Sequence, residues 1–295
     1  MIYAKKLRPG GTIGMIAPCS PLTPENAEGP AKQLRALGYR VKFSKNLFRM
    51  TYGYGASEQE RADDFNAMIA DPEVDMILFE GGEVSNELLP YLDYDAVKRN
   101  PKILCSFSDS TTILNAVTAM TSLVTYYGPS PNSFVNMTPY NREQFESRLV
   151  DGTQREIKKS GPWKVIRGGT CEGTLIGGYL VNFALLVNSR FLPIDPAKKY
   201  LLFLEDNECF NTPEAVRRYL AQIEQSDLFP HVVGLIAGQY STKQYPEIDE
   251  ALARLAARHS IPAARCDDFG HGENHAILPI GAPARLETSL GLSLL

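Results

Sequence analysis

A series of short apolar runs, each separated from the next by a helical pattern, most constrains what this chain can fold into. Thr12-Ile13-Gly14-Met15-Ile16-Ala17, Val41-Lys42-Phe43, Met76-Ile77-Leu78-Phe79 and Lys102 to Phe107 read as strands. Pro24 to Leu37 reads as a helix that Gly38 closes. Ser57 to Asp71 reads as a second helix, opened by Ser57 with Glu60 three residues later. Strands without polar alternation are covered on both faces, and helices between strands supply the crossovers that parallel pairing needs. The expected fold class is therefore α/β with a mostly parallel sheet. Ligands of such sheets bind beyond the carboxyl ends of the strands. Gly81-Gly82 and Ser108 both fall at predicted strand ends, so they are expected to share one crevice.

The second half uses the same vocabulary. Tyr200 to Leu204 and Val232 to Ala237 read as strands, Pro213 to Gln225 and Tyr245 to His259 as helices, with short β segments at the C-terminus. Between the halves, Pro129 to Gly169 is polar and turn-rich, and part of it reads as a linker. A chain of 295 residues accommodates two domains. These are expected over residues 1–160 and 161–295, the second a smaller α/β domain.

Composition removes several classes of function. The net charge of -4 gives no electrostatic case for nucleic acid or an anionic membrane surface. No apolar stretch reaches the roughly 18 residues of a membrane span. The basic start, Met1 to Lys6, has no apolar signal core behind it, so the cytoplasm is the expected compartment. Cys19, Cys105, Cys171, Cys209 and Cys266 are odd in number and widely spaced, as reduced thiols are. His271 and His275 have the i, i+4 spacing of helical metal ligands, but Gly270 and Gly272 bracket the first and argue for a loop. Gly10-Gly11-Thr12-Ile13-Gly14 precedes its strand instead of following it, which is the wrong order for a dinucleotide fingerprint.

The chemistry concentrates in Cys105-Ser106-Phe107-Ser108-Asp109-Ser110-Thr111-Thr112, where a predicted strand runs into a predicted helix. A serine on a tight strand-to-helix turn can be a nucleophile, with free helix N–H groups beside it to stabilise an oxyanion. It can equally be a helix cap, the commoner use of serine at this place. A nucleophile needs a base and a group to orient it. Glu205-Asp206 ends an apolar strand where a carboxylate could hold an imidazole, and His271 lies between glycines that give its ring room.

Taken in order, these segments resemble the LD-carboxypeptidase family of serine peptidases. The matching stretches are Gly81-Gly82 through Leu114, Gly173 to Leu180, Leu201 to Asp206, and Asp268 to His271 followed by Leu278 to Gly281. Leu89 to Asp95 and Asn100 to Ile103 resemble in particular its microcin-C self-immunity branch. The resemblance implies Ser108 as nucleophile, Glu205 as acid and His271 as base. It implies an oxyanion hole from the N–H groups of Asp109 and Gly82, with Gly81 in the same loop and no metal or organic cofactor. It implies a class I glutamine-amidotransferase-like first domain, a homodimer, and hydrolysis of an amide between an L-centre and a D-amino acid in murein peptides. The alternative substrate is an aminoacyl-nucleotide antibiotic of the microcin-C type, with Trp163 as a candidate for stacking on the base. Two departures stand out: Ser106 replaces a glycine of the family pattern and Tyr179 an asparagine. Two competing readings are a cysteine hydrolase using Cys105 and a binding module without turnover.

Overall fold

The computed structural model describes residues 1–82 and 85–295. The first half supplies β1 (Thr12–Ile16), β2 (Arg40–Phe43), β3 (Val74–Phe79), β4 (Ile103–Ser106) and β5 (Thr125–Tyr127). The second supplies β6 (Lys164–Arg167), β7 (Thr170–Tyr179), β8 (Tyr200–Glu205), β9 (Val232–Ala237), β10 (Ala263–Arg265), β11 (Leu278–Ile280), β12 (Pro283–Glu287) and β13 (Gly291–Leu294). The helices are α1 (Pro24–Ala36), α2 (Glu58–Ala70), α3 (Tyr94–Arg99), α4 (Thr111–Thr121), α5 (Pro139–Phe145), α6 (Leu180–Leu186), α7 (Pro213–Glu224) and α8 (Pro246–Arg258). None of them is long and apolar enough to cross a membrane.

Two sheets result. The first has the order β11-β5-β4-β3-β1-β2, and every pair in it is parallel except β11 with β5. The second has the order β13-β12-β7-β8-β9-β10-β6, parallel at its centre and antiparallel at both edges. The apolar runs of β1, β3, β4, β8 and β9 are continuous because these strands are buried on both faces, whereas the edge strand β2 is half exposed. In β3, Ile77 and Phe79 join the core shared with the second sheet, while Met76 and Leu78 face α1 across the other. The capping box at Ser57 and Glu60 forms as expected.

β5 is not among the strands expected from the sequence, and two further features depart from that reading. β11 comes from the far end of the chain yet completes the first sheet beside β5. The stretch read in part as a linker carries α5 near its start and β6 near its end, with no helix or strand over residues 151–163. Thr138 caps α5 through its hydroxyl and Pro139 occupies the first turn, so the residues that looked like a turn are a helix start. From α5, Asn141 reaches the loop after β10. Its side chain donates to the Glu273 carbonyl at 2.9 Å and accepts from the His275 N–H at 2.7 Å.

The layers are joined by buried polar contacts as well as by the shared core. Asn115, on α4, donates to the carbonyls of Thr111 at 2.7 Å and Gly177 at 2.8 Å, and accepts from the Gly177 N–H at 3.2 Å. It is 1% exposed, so the β7 groups it serves have no water to replace it. Asn115→Ala leaves a buried N–H and C=O of Gly177 unpaired and is expected to cost about 2–4 kcal/mol. Denaturant unfolding should show this as a lower midpoint at an unchanged slope.

Candidate active site

Ser108 stands where β4 ends. Phe107 is still extended, and Ser108 turns to φ 60°, followed by a 3-10 turn that runs into α4. A left-handed conformation costs a non-glycine residue about 1–2 kcal/mol, so neighbouring contacts must hold the turn. Ser106 is one of them. Its hydroxyl, fully buried, donates to the Phe79 carbonyl at 2.7 Å and ties β4 to the end of β3. The residue standing where the family has glycine thus gains a bond in place of backbone freedom. Ser108 N–H donates to the Tyr127 hydroxyl at 3.2 Å. The Ser108 hydroxyl caps no helix. It lies 2.9 Å from His271 Nε2 and 3.3 Å from Asp109 Oδ2.

The other hydroxyls of this stretch are structural. Ser110 meets Cys19 Sγ at 3.8 Å, and Thr111 accepts from the Tyr179 N–H at 2.8 Å. Cys105, inside β4, is fully buried with its Sγ 3.6 Å from the Pro129 carbonyl, and burial pushes the thiol pKa far up. A thiol held neutral inside a strand cannot attack a bound substrate, which removes the cysteine-hydrolase reading.

Glu205 ends β8 with its side chain entirely buried. Three donors meet it. Tyr127 O–H donates to Oε1 at 2.5 Å, and His271 approaches Oε2 with Nδ1 at 2.8 Å and its backbone N–H at 3.2 Å. Tyr127 belongs to the first sheet and His271 to the loop after β10, so the carboxylate joins both layers. Gly270 makes the approach possible. Its φ is +116°, and a β-carbon there would stand 2.9 Å from Glu205 Oε2. Burial pulls the His271 imidazole pKa down. Glu205, with Asp206 and Asp109, more than reverses this and leaves it above its ordinary value of 6.5.

The ring is also enclosed by Tyr179, Phe107 and Phe210, at centroid distances of 4.8, 5.2 and 5.6 Å. Tyr179, the second departure from the family pattern, is therefore an aromatic wall of the histidine. The i, i+4 histidines share no helix, and the Phe107 ring lies against both. Burial pushes the His275 pKa down to about 4, so it stays neutral near pH 7.

The glycine loop lies beside Ser108 as expected. A β-carbon on Gly81 would be 3.7 Å from Ser108 Cβ, and one on Gly82 would overlap Ser20 Cβ at 2.3 Å. Gly82 N–H donates to Asp109 Oδ2 at 3.3 Å, the same oxygen that lies 3.3 Å from Ser108 Oγ. In this state a carboxylate oxygen therefore sits between the nucleophile candidate and the glycine donor. Trp163 is elsewhere engaged. Its indole N–H donates to Asp268 Oδ2 at 2.6 Å, and Lys159 Nζ lies 5.5 Å from the ring centroid. Ser160 grips the other Asp268 oxygen through N–H and hydroxyl, at 2.8 and 2.5 Å. Trp163 thus braces the histidine loop. The contacts of Tyr127, Asn141 and Asp268 are not legible in the sequence because each partner lies more than 75 residues away.

A serine hydroxyl, an imidazole and a buried carboxylate in hydrogen-bonded line, at the carboxyl edge of an α/β fold, is the arrangement of a serine hydrolase. The chain belongs to the LD-carboxypeptidase family (peptidase S66): its N-terminal domain model matches residues 13–128 and its C-terminal domain model residues 172–286. Among curated relatives, "Putative carboxypeptidase YocD" of Bacillus subtilis (strain 168) is 31% identical over 99% of this chain and 98% of its own length. Among solved structures, an MccF-like protein from Bacillus anthracis (strain Ames) has a TM-score of 0.89 at 30% identity, covering 100% of this chain and 99% of that one. The microcin C7 self-immunity protein MccF in complex with aspartyl sulfamoyl adenosine has a TM-score of 0.87 at 26% identity, covering 100% and 98%.

Gly270→Ala tests the glycine's role. The added methyl meets Glu205 and the positive φ becomes strained, so His271 is displaced while the two sheets remain. A shift of about 1 Å at a reacting group costs on the order of 100-fold in kcat. Steady-state kinetics beside an unchanged circular dichroism spectrum would show it.

Proposed function

We propose that Ser108, His271 and Glu205 act as a catalytic triad that hydrolyses an amide between an L-centre and a D-amino acid, as in murein peptides. The observation that carries this is the unbroken line Ser108 Oγ–His271 Nε2, 2.9 Å, and His271 Nδ1–Glu205 Oε2, 2.8 Å. Ser108 Oγ attacks the carbonyl carbon and His271 Nε2 takes the hydroxyl proton. Glu205 accepts from Nδ1–H, which fixes the tautomer that leaves Nε2 free and stabilises the imidazolium. The tetrahedral oxyanion draws on the N–H groups of Asp109 and Gly82. For the second of these, the Asp109 carboxylate must turn away from Gly82. His271 then gives its proton to the leaving amine, the C–N bond breaks, and water hydrolyses the ester on Ser108 with the same base. The likeness of the first domain to class I glutamine amidotransferases belongs to this reading, supported by a nucleophile candidate on a strand-to-helix turn of a parallel sheet.

A second substrate reading has its own support. The MccF complex carries an aminoacyl sulfamoyl nucleotide, and an amide of that kind suits the same chemistry. Trp163 does not favour it, since the edge and one neighbour of its ring are committed to Asp268 and Lys159. Supplying both substrate types to the purified protein and identifying the released amine by mass spectrometry separates the two.

Ser108→Ala and His271→Ala should each lower kcat by about 10⁴-fold or more with the fold retained. Retained turnover in Ser108→Ala would refute the assignment. The pH dependence follows from the raised pKa of His271. The neutral imidazole is the base, so kcat/KM falls as the pH drops through that pKa, on an acid limb lying above pH 6.5. Glu205→Gln removes the leading interaction that raises it. Its limb should move to lower pH, and its maximal rate should fall by about 10²–10⁴-fold because the tautomer is no longer held.

A further inference from the structure

A cavity of about 390 Å³ opens at the edge of the first sheet away from Ser108. Ile103, the first residue of β4, lines it, whereas Ser108 follows the last residue of that strand. Lys5, Lys6, Arg148 and Arg155 line it too, and no aspartate or glutamate is among the lining residues. In a chain of net charge -4, four cations around one cavity without an acid form a distinct positive site.

Arg148 separates this cavity from an ordinary basic surface. It belongs to the π-helical turn Glu146–Val150 that continues α5, and it is 8% exposed. Nη1 donates to the Gln154 carbonyl at 2.7 Å, but Nε and Nη2, both buried, have no partner among the described residues. The only titratable groups that act on the guanidinium are the phenols of Tyr126 and Tyr3. Neither an acidic side chain nor the carboxylate of Leu295, which also lines the cavity, is among them. Burial pushes the pKa of Arg148 down to about 10, so the group keeps its charge near neutral pH. A cation taken out of water without a counter-charge is costly, and buried charges are as a rule paired. The neighbouring groups are placed as well. Lys6 donates to the Asp151 carbonyl, and its stem crosses Gly152, where a β-carbon would stand 2.5 Å from Lys6 Cε. Arg148 and Arg155 both act on the Tyr3 phenol, so that ring borders the two guanidinium groups.

We propose that this cavity binds a small polyvalent anion, a phosphate ester or a polycarboxylate, with Arg148 as its central cation. An anionic group there supplies the counter-charge that the guanidinium lacks, where a low dielectric strengthens the attraction. The planar fork of Nε and Nη2 matches two oxygens of a phosphate or a carboxylate. Tyr3, 51% exposed and bordering both arginines, is the side chain that turns aside to admit it. Lys5, Lys6 and Arg155, all exposed, draw the anion to the mouth. The site is separate from Ser108 and His271 and does not depend on the triad reading.

The test is calorimetric titration of the purified protein with pyrophosphate and with citrate, two arms that separate the phosphate class from the carboxylate class. The wild type is expected to bind at least one of them, less tightly as salt is raised, and to unfold at a higher temperature in its presence. Arg148→Met keeps the bulk of the side chain without its charge and should weaken binding about tenfold or more. Arg155→Ala, at an exposed position, should weaken it about threefold, and it decides the matter if Arg148→Met does not fold. Lys45→Ala, which removes an exposed cation outside the cavity, and His271→Ala should both bind as the wild type does. Failure of both probes to bind at millimolar concentration would overturn the proposal, as would wild-type affinity in Arg148→Met or Arg155→Ala. Equal losses in Lys45→Ala and Arg155→Ala would overturn it by showing diffuse surface attraction. Loss in His271→Ala would overturn it by placing the anion beside Ser108 instead.

Discussion

The buried carboxylate of Glu205 is the interaction on which the rest depends. Its side chain has no exposed surface, and an unpaired carboxylate there would cost several kcal/mol. Every donor that satisfies it also fixes part of the site. Tyr127 brings the first sheet to it and simultaneously receives the N–H of Ser108. His271 brings the loop after β10, held by its ring nitrogen and its backbone N–H together. One charge thus sets the distance between the strained serine turn and the histidine, and the joint of the two layers becomes the site.

The strain at Ser108 has the same logic. A serine at φ 60° would relax if its neighbours allowed it, and Ser106, Tyr127 and the shared core do not. The cost is met by packing that exists for other reasons, and the return is a hydroxyl that points at an imidazole instead of capping α4. The aromatic ring of Tyr179 packs 4.8 Å from that of His271, and Trp163 and Ser160 tie down Asp268 in the same loop.

Much of this was legible beforehand. Strands β1 to β4, the capping box at Ser57 and the strand ending at Glu205 follow from local rules, since apolar runs, caps and breakers act over a few residues. The order of motifs pointed to the three residues that the fold gathers. The stretch from Pro129 to Gly169 was only partly legible, because asparagine, proline and serine serve helix starts and side-chain grips as readily as turns. Thr138-Pro139 opens α5, Asn141 holds the backbone of the histidine loop, and Ser160 grips Asp268. The indole N–H of Trp163 is committed to Asp268, a partner that its sequence neighbours do not reveal.

By itself the sequence determined the α/β class, the parallel character of the first sheet and the candidate serine, histidine and glutamate, because hydrophobic periodicity and motif order are written in neighbouring residues. Only the tertiary structure decided which hydroxyl is free, which donors satisfy Glu205, and that β11 returns to the first sheet. Those outcomes depend on groups up to 163 residues apart meeting at 3 Å or less, and such meetings are set by how the layers pack.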